Sequence, residues 1–173
     1  MKSLCTALLA LGLSACAAPG VEHYANEQPR LDLKEYLNGE VDAWGMVQGW
    51  TGVVKKRFHV TINARWDGDT GVLDEQFNWS DGTTSQRRWT LNRRADGTWR
   101  GTASDVIGEA IGEVAGNTLR WRYVLALPID GNTYHVKFDD WMILMNDKVM
   151  MNRSYMSKWG VPLGEVTLTF VKR

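Results

Sequence analysis

Residues 54–66 read VKKRFHVTINARW, and the two sets of alternate positions differ in polarity along the whole stretch. The even positions carry Val, Lys, Phe, Val, Ile, Ala and Trp, whereas the odd positions carry Lys, Arg, His, Thr, Asn and Arg. A repeat of two residues is the pattern of a β-strand with one buried and one solvated face. Similar repeats occur at the odd positions of residues 73–79, 87–91 and 119–127. The sequence therefore predicts long antiparallel strands.

Short turn sequences separate these alternating stretches. They lie near residues 68, 82, 96, 117, 131, 147 and 160, and most contain Asp-Gly, Gly-Asn or Asn-Asp. Such pairs favour tight hairpin turns. Most neighbouring turns are about 13–16 residues apart, and the one wider interval predicts a further turn near residues 103–108. The spacing predicts hairpins with strands of about ten residues.

So many consecutive long strands must close on themselves or leave an exposed sheet edge. We therefore predict an all-β fold: one domain over residues 31–173, an antiparallel up-and-down barrel of the lipocalin (calycin) type with about 8–10 strands. A sandwich of two sheets is the alternative. A short N-terminal helix is predicted over residues 31–37, LDLKEYL, where Asn38-Gly39 would end it. The interior of such a barrel has room for one small ligand.

The composition is that of a folded domain. The 173 residues are 44% hydrophobic and 23% charged, and Lys plus Arg equal Asp plus Glu at 20 each. This balance argues against nucleic acid as a partner, in spite of several Arg-Trp neighbours such as Arg88-Trp89. The polarity excludes a membrane protein of many apolar helices, and the apolar content excludes intrinsic disorder.

The N-terminal residues look like an export signal. Lys2 precedes an apolar run from Leu4 to Leu13, which is too short to span a bilayer. The run ends in Leu13-Ser14-Ala15-Cys16, which looks like a bacterial lipobox, where the chain is cut before a Cys that becomes acylated. We predict a signal peptide over residues 1–15, a lipidated Cys16, and a polar tether within residues 16–30. An ordinary secretory signal and an apolar N-terminal helix are the alternatives.

Acylation of Cys16 would hold the domain on a membrane. Ala17 follows the cysteine, and by the sorting rule usual for such lipoproteins the absence of Asp there favours the outer membrane. The predicted location is therefore the periplasmic face of the bacterial outer membrane. Cys5 lies in the signal, so the mature chain would have no thiol for a disulfide, a metal or a nucleophile.

The sequence predicts no metal site, no cofactor and no nucleophile. His23, His59 and His135 are not paired at the spacing of metal ligands, and no Gly-x-Ser-x-Gly motif is present. No residue is therefore assigned as catalytic, and whether the protein is an enzyme stays open.

Charge on the inward side of the predicted strands is the most informative feature. Lys56, Glu75 and Arg87 share a face with aromatic side chains, and residues 139–140 and 152–153 add further polar groups. Buried charges must be paired and hydrogen-bonded. They would form either a structural network that fills one end of the barrel or a polar site for a ligand. The candidate ligand-binding residues are Lys56, Phe58, Phe77, Trp79, Arg87, Trp89, Trp121, Tyr123, Asp140, Trp141 and Arg153.

Several short motifs occur in order along nearly the whole mature chain. They are Tyr36-Leu37-Asn38-Gly39, Ala43-Trp44-Gly45, Lys56-Arg57-Phe58, Arg88-Trp89, Gly101-x-Ala103-x-Asp105-Val106-x-Gly108, Gly116-Asn117, Asp139-Asp140-Trp141-Met142, Asn152-Arg153, Lys158-Trp159-Gly160 and Gly164-Glu165. With these motifs the chain resembles a bacterial lipoprotein family known as domain of unknown function 3833. The resemblance implies a lipocalin-like barrel with a lipoprotein signal. Neighbouring genes for fatty-acid modification and photooxidative stress associate the family with lipids, but no catalytic residues can be transferred.

Three functions are compatible with these observations. The first, which we favour, is binding of a small hydrophobic ligand such as a fatty acid or lipid, whose anionic head group would meet Lys56, Arg87 or Arg153. The second is a lipid-modifying isomerase, cyclase or hydratase that uses Asp139, Asp140 or His135 as acid or base. The third is a filled barrel that binds other envelope proteins, none of which the sequence identifies.

Overall fold

The computed structural model describes residues 19–129 and 131–173. In this part of the chain a 3₁₀ helix spans Val21–Tyr24, and helix α1 spans Leu33–Leu37. The strands are β1 (Gly39–Gly49), β2 (Val54–Asp67), β3 (Thr70–Trp79), β4 (Thr84–Arg93), β5 (Trp99–Thr102), β6 (Ala110–Ala115), β7 (Thr118–Ile129), β8 (Asn132–Leu144), β9 (Val149–Lys158) and β10 (Val161–Lys172). Within the same residues no helix is long and apolar enough to cross a membrane.

The described strands form one closed antiparallel barrel. Each strand pairs with its neighbours in sequence, and β1 completes the ring by pairing with β10, from Val41 opposite Lys172 to Gly49 opposite Gly164. The predicted all-β up-and-down barrel is confirmed, and the two-sheet sandwich is excluded. The turn predicted near residues 103–108 lies between the short strands β5 and β6.

The alternation in the sequence corresponds to the two faces of the barrel wall. On β2 the even residues Phe58, Val60 and Ile62 are buried, as are Val41 and Ala43 on the paired strand β1. Burial of each large side chain contributes about 1.5–3 kcal/mol, so this inward stripe fixes the register of the strands.

Two glycines on the short strands make room for one indole ring. A Cβ atom on Gly101 of β5 would lie 2.4 Å from Cζ2 of Trp121. A Cβ atom on Gly112 of β6 would lie 2.4 Å from Cε3 of the same ring. Trp121 of β7 therefore packs directly against the backbone of both strands.

Helix α1 closes one end of the barrel. The Asp32 carboxylate accepts a hydrogen bond from the Glu35 backbone N–H at 2.9 Å, so the helix begins at Leu33 rather than two residues earlier. The apolar side chains of α1 are buried, and the Tyr36 hydroxyl donates to the Lys148 carbonyl oxygen at 3.1 Å. We call this end the closed end, and the opposite end, where the β1–β2 and β9–β10 hairpins turn, the open end.

The predicted signal peptide and Cys16 lie outside the described residues. The described end of the predicted tether is in contact with the barrel. Its 3₁₀ helix packs on β6 and β7, and the Tyr24 ring centre lies 6.0 Å from that of Trp141. The Leu31 backbone N–H donates to the Gly116 carbonyl at 2.8 Å. The chain therefore follows the outer wall of the barrel before it enters α1.

Candidate ligand-binding cavity

The barrel interior contains a cavity of about 650 Å³. It extends from Ile62, Met142 and Phe170, near the closed-end core, to Trp79 and Leu127 near the open end. A smaller cavity of about 80 Å³ lies below it, next to the apolar side chains of α1. The larger volume is in the range that small-molecule sites occupy, about 300–1,000 Å³.

Aromatic rings form much of the cavity wall. Phe77 and Trp79 are stacked with 5.6 Å between their ring centres, and Phe58 lies 5.1 Å from Trp79. Across the interior, Tyr123 and Phe138 are stacked at 5.1 Å. These residues alternate with outward-facing ones along β2, β3, β7 and β8, so the strand geometry itself places the rings inside. The resulting walls favour an apolar ligand.

An ion pair between Arg87 and Asp105 projects into the cavity. Arg87 Nε and Nη2 donate to the two Asp105 oxygens at 2.7–3.1 Å. Asp105 belongs to the β5–β6 loop, and the loop is held against β7 by two backbone hydrogen bonds of 2.9 Å, from Ala126 N–H to Asp105 O and from Ile107 N–H to Val124 O. The loop therefore delivers a carboxylate that neutralises the interior arginine.

Glu75 is a second interior carboxyl, on β3, with only 13% of its side chain exposed. Its Oε2 atom lies 3.9 Å from Arg87 Nη1, which is an ion-pair distance but longer than a hydrogen bond. Burial raises the pKa of Glu75 to about 7, and the nearby Arg87 only partly opposes this effect. Glu75 is therefore mostly protonated in mildly acidic solution.

Asp140 is the third interior carboxyl, on β8, and it is 4% exposed. It accepts hydrogen bonds from the Tyr123 hydroxyl at 3.2 Å and from the Ser154 hydroxyl. Burial raises the pKa of Asp140 to about 7, although both hydrogen bonds lower it. Burial also raises the pKa of Tyr123 well above its usual value, so this phenol remains a donor.

Two acceptor atoms of the cavity lining lack a hydrogen-bond partner among the described residues. They are Glu75 Oε2 and Asn152 Oδ1, both inaccessible to solvent. A buried acceptor without a partner costs about 1–3 kcal/mol. The other unpartnered atoms, Trp66 Nε1 and Arg122 Nε, are donors that lie outside the cavity lining. Both residues line the cavity, so a small side-chain rotation would present these acceptors to a bound molecule.

Most of the predicted site residues line this cavity. They are Lys56, Phe58, Phe77, Trp79, Arg87, Trp89, Tyr123 and Asp140. Lys56 lies at the rim, where its ammonium group pairs with Asp81 at 2.6 Å. Trp121 is buried deeper and lines the smaller cavity instead.

Trp141 and Arg153, also predicted as ligand-binding residues, lie on the outer face and line a depression there instead of this cavity, so a role in binding stays a prediction for them. Successive strand residues point to opposite faces, so Asp140 inside places Trp141 outside, and Asn152 inside places Arg153 outside. The guanidinium group of Arg153 donates to Glu165 at 2.7–2.9 Å and is 56% exposed.

The other candidate acid–base groups are also outside. Asp139 accepts two hydrogen bonds from Arg120 at 2.7–2.8 Å, and His135 is exposed. His59 is on the outer face, where its ring nitrogen lies 2.9 Å from an Asp42 oxygen. Among the described residues, no three His, Cys, Asp or Glu side chains are grouped as metal ligands would be.

Sequence reasoning missed two polar residues of the cavity and left a third unassigned. Asp105 lies in a loop, where alternation says nothing about direction, although it belongs to one of the quoted motifs. Ser154 was missed because β9 has a mixed pattern in which Met and Ser occur on both faces. Asn152 was noted beside Arg153, but its inward direction was not assigned.

A second, larger depression of about 1160 Å³ lies on the outer face of β1, β8, β9 and β10. Trp44, Met151 and Tyr155, which line it, are 52%, 50% and 45% exposed. It is an open surface, whereas the interior cavity is surrounded by the barrel wall. We call it the outer depression.

A closed antiparallel barrel with an interior cavity is the architecture of lipocalin-like proteins. The chain belongs to the family described as "Protein of unknown function (DUF3833)", which it matches over residues 10–172. No curated protein matches the chain in sequence.

Solved structures with a similar fold are distant in sequence. The S-type phycobiliprotein lyase CPES from Guillardia theta has a TM-score of 0.61 at 9% identity, over 90% of this chain and 98% of the lyase. EF1p2_mFAP2b bound to DFHBI has a TM-score of 0.46 at 12% identity, over 80% of this chain and 95% of that protein. At these identities the lyase similarity shows the shared fold only.

Proposed function

We propose that this protein binds a small, mostly apolar, lipid-like molecule inside the barrel and hydrogen-bonds its polar end at one of two acceptors, Glu75 or Asn152. The observation that carries the proposal is the aromatic-walled cavity of about 650 Å³ with two unpartnered acceptor atoms in its lining. A ligand donor group would remove the free-energy cost of those acceptors, and the apolar part of the ligand would fill the rest.

The polar end of the ligand is a neutral donor rather than an anionic head group. Each cation suggested for an anion is already paired: Arg87 with Asp105, Lys56 with Asp81 and Arg153 with Glu165. The interior also holds further carboxyls at Glu75 and Asp140. A hydroxyl, an amide N–H or a protonated acid therefore fits better than an ionised carboxylate.

Native mass spectrometry on residues 19–173 tests this proposal with 1-hexadecanol and palmitate at pH 5.5 and pH 8.5. Hexadecanol should bind at both pH values. Palmitate should bind about tenfold or more weakly at pH 8.5, because its carboxylate and Glu75 are then both ionised and repel each other by a few kcal/mol at short range. Solvent extraction of the protein as purified should also release a molecule of the same chemical class.

Substitutions at two neighbouring positions test whether the ligand binds at the inward or the outward face of β9. Asn152→Leu removes a cavity acceptor and should weaken hexadecanol binding, whereas Arg153→Leu on the outer face should leave it unchanged. If no ligand shifts the mass of the folded wild-type domain, the interior is a filled scaffold and the proposal fails. If Arg153→Leu weakens palmitate binding instead, an anion site on the outer face is indicated.

We further propose that Cys16 is acylated and holds the barrel on the periplasmic face of the outer membrane. The support is the sequence Leu13-Ser14-Ala15-Cys16 after an apolar run, with Ala17 behind it. Labelling with a radioactive fatty acid in a bacterial host should mark the wild-type chain and not Cys16→Ser. Equal labelling of both chains would contradict the assignment.

Catalysis on the same ligand is a second candidate function, favoured by one observation. Asp140 is buried, its pKa is raised to about 7, and it is hydrogen-bonded to a phenol, which is an arrangement suited to proton transfer. Asp140→Asn should then keep ligand binding and abolish the formation of a new product. If the wild-type protein returns the bound ligand unchanged, binding alone remains.

A further inference from the structure

Three hairpin tips stand side by side around the open end of the barrel. The pairing of β1 with β10 ends at Gly49 and Gly164, and β10 begins at Val161, only three residues before Gly164. The β9–β10 tip therefore lies beside the β1–β2 tip. On the other side, the Lys158 ammonium group lies 4.3 Å from the Tyr134 ring centre, which connects the β9–β10 tip to the β7–β8 hairpin. We call these three tips the mouth, because the cavity lining reaches Ile129 and Lys55 there.

The mouth exposes large apolar side chains that no other described residue covers. Trp159 is 90% exposed and Trp50 is 80% exposed, the highest values among the large exposed hydrophobic residues described. Smaller apolar residues surround these two rings. They are Val53 (56%), Ile129 (49%), Val161 (60%) and Leu163 (39%). Exposure of this kind at the entrance of a cavity marks an interaction surface rather than a packing accident.

The backbone at Trp159 supports the same conclusion. Trp159 has φ +53°, the only positive φ at a non-glycine residue in the described chain. Gly or Asn would adopt this turn conformation more easily than a bulky aromatic residue. A tryptophan at this tip therefore costs folding free energy and is exposed to solvent, which points to a role outside the fold.

Lysine is the predominant charged residue of the mouth, and Asp130, between β7 and β8, is the one acidic residue in the sequence of the three tips. In residues 48–56, 127–129, 131–137 and 157–164, every Asp, Glu, Lys or Arg residue is a lysine, namely Lys55, Lys56, Lys137 and Lys158. Lys56 is paired with Asp81 of the neighbouring β3–β4 loop, and Lys158 lies over the Trp159 ring at 4.5 Å. Tryptophan and lysine together are the residues that occupy the interface of an anionic bilayer.

We propose that the mouth docks on a lipid bilayer with anionic head groups, inserting Trp50 and Trp159 into its interface. The cavity then opens directly onto the membrane, so an apolar ligand passes between bilayer and barrel without crossing water. A bilayer fits better than a protein partner, because the apolar groups are carried on separate tips instead of forming one continuous flat patch. Docking itself does not depend on the proposed function; only the route of the ligand does.

Vesicle sedimentation with residues 19–173 tests the proposal without the N-terminal anchor. This part of the chain contains α1, the whole barrel and its core, and a thermal melt checks that it is folded. Wild type should bind vesicles containing phosphatidylglycerol more strongly than pure phosphatidylcholine. The double variant Trp50→Ser, Trp159→Asn should bind about tenfold or more weakly, since it removes both rings that would be buried in the bilayer interface.

The matched control is Trp44→Ser, which removes an exposed indole from the outer depression and should leave vesicle binding unchanged. Trp159→Asn should not lower the melting temperature, because Asn tolerates positive φ. If folded wild type binds neither vesicle type, or if Trp44→Ser abolishes binding while the double variant keeps it, the proposal is overturned. Vesicle binding without any hexadecanol binding would retain the docking and reject the cavity ligand.

Discussion

Single carboxyl groups set the chemistry of the barrel interior. Glu75 and Asp140 are held where burial favours their neutral forms, whereas Asp105 is paired with Arg87. Glu75 is placed by its inward position on β3, and Asp140 by its inward position on β8 opposite Ser154. Asp105 is placed by the β5–β6 loop. The interior is consequently a polar site whose charge changes close to neutral pH.

Glu75→Gln should make the stability of the protein less dependent on pH. The pKa of Glu75 is about 7 in the folded protein and near 4.5 in the unfolded chain, so between these values the folded state holds more protons. The contribution of Glu75 to stability is therefore fully present below about pH 4.5 and is lost as the pH rises toward 7. Urea unfolding should show the variant equal to wild type at pH 5 and more stable by about 2 kcal/mol at pH 8.

Asp74→Asn is the matched control for Glu75→Gln. Asp74 is the adjacent residue on the outer face, and its hydrogen bonds from Arg88 and Arg65 lower its pKa. Its contribution is present above the unfolded pKa and is lost only below about pH 4, so Asp74→Asn should differ from wild type by a constant amount between pH 5 and pH 8. A constant difference for Glu75→Gln as well would show that burial does not shift its pKa.

How far the site could be predicted depends on where each residue lies. Alternation on β3 and β4 correctly placed Glu75 and Arg87 inside, because those strands have a clear apolar face. Alternation did not show which residue of Asp139-Asp140 or of Asn152-Arg153 points into the barrel, because β8 and β9 carry polar residues on both faces. Asp105 could not be placed at all, because the path of a loop depends on tertiary hydrogen bonds.

Strands β5 and β6 are the shortest described strands of the barrel, and the side chain of Trp121 accounts for how they pack. The glycines at 101 and 112 leave a gap that Trp121 fills, so two short strands can pack as tightly as two long ones. The partner ring could not be predicted, because no local pattern connects residue 112 with residue 121.

Gly112→Val should destabilise the barrel by about 2–3 kcal/mol, since the added carbon atoms would overlap the Trp121 ring in a packed interior. Valine favours strands, so the loss would come from packing and not from backbone propensity. Urea unfolding should show that adding Trp121→Leu to Gly112→Val restores part of the lost stability. Additive losses in the double variant would mean that the two residues do not share this space.

At the scale of the whole molecule, the barrel has a closed and an open end. Helix α1 and the small cavity occupy the closed end, and the large cavity opens at the mouth. The number and order of the strands followed from turn spacing and alternation, and so did a short helix before β1. The hollow interior did not follow, because its volume depends on how individual side chains fill the barrel.

The length of ligand that the barrel accepts should be set by the residues between the two cavities. Met142 lines both of them, so Met142→Ala should join the small space beside α1 to the main cavity. The affinity for longer alkyl alcohols should then rise relative to shorter ones, by about fourfold for each additional methylene buried at 0.8 kcal/mol. The substitution should also lower stability by about 2–3 kcal/mol before ligand is added.

Met151→Ala is the control for Met142→Ala, because Met151 is 50% exposed on the outer depression and touches neither interior cavity. Native mass spectrometry with a series of alcohols of increasing length should give the wild-type preference for Met151→Ala and a longer preference for Met142→Ala. An unchanged preference in both variants would mean that the ligand does not reach the base of the cavity. Its alkyl chain would then leave through the open end, toward the surface on which the mouth docks.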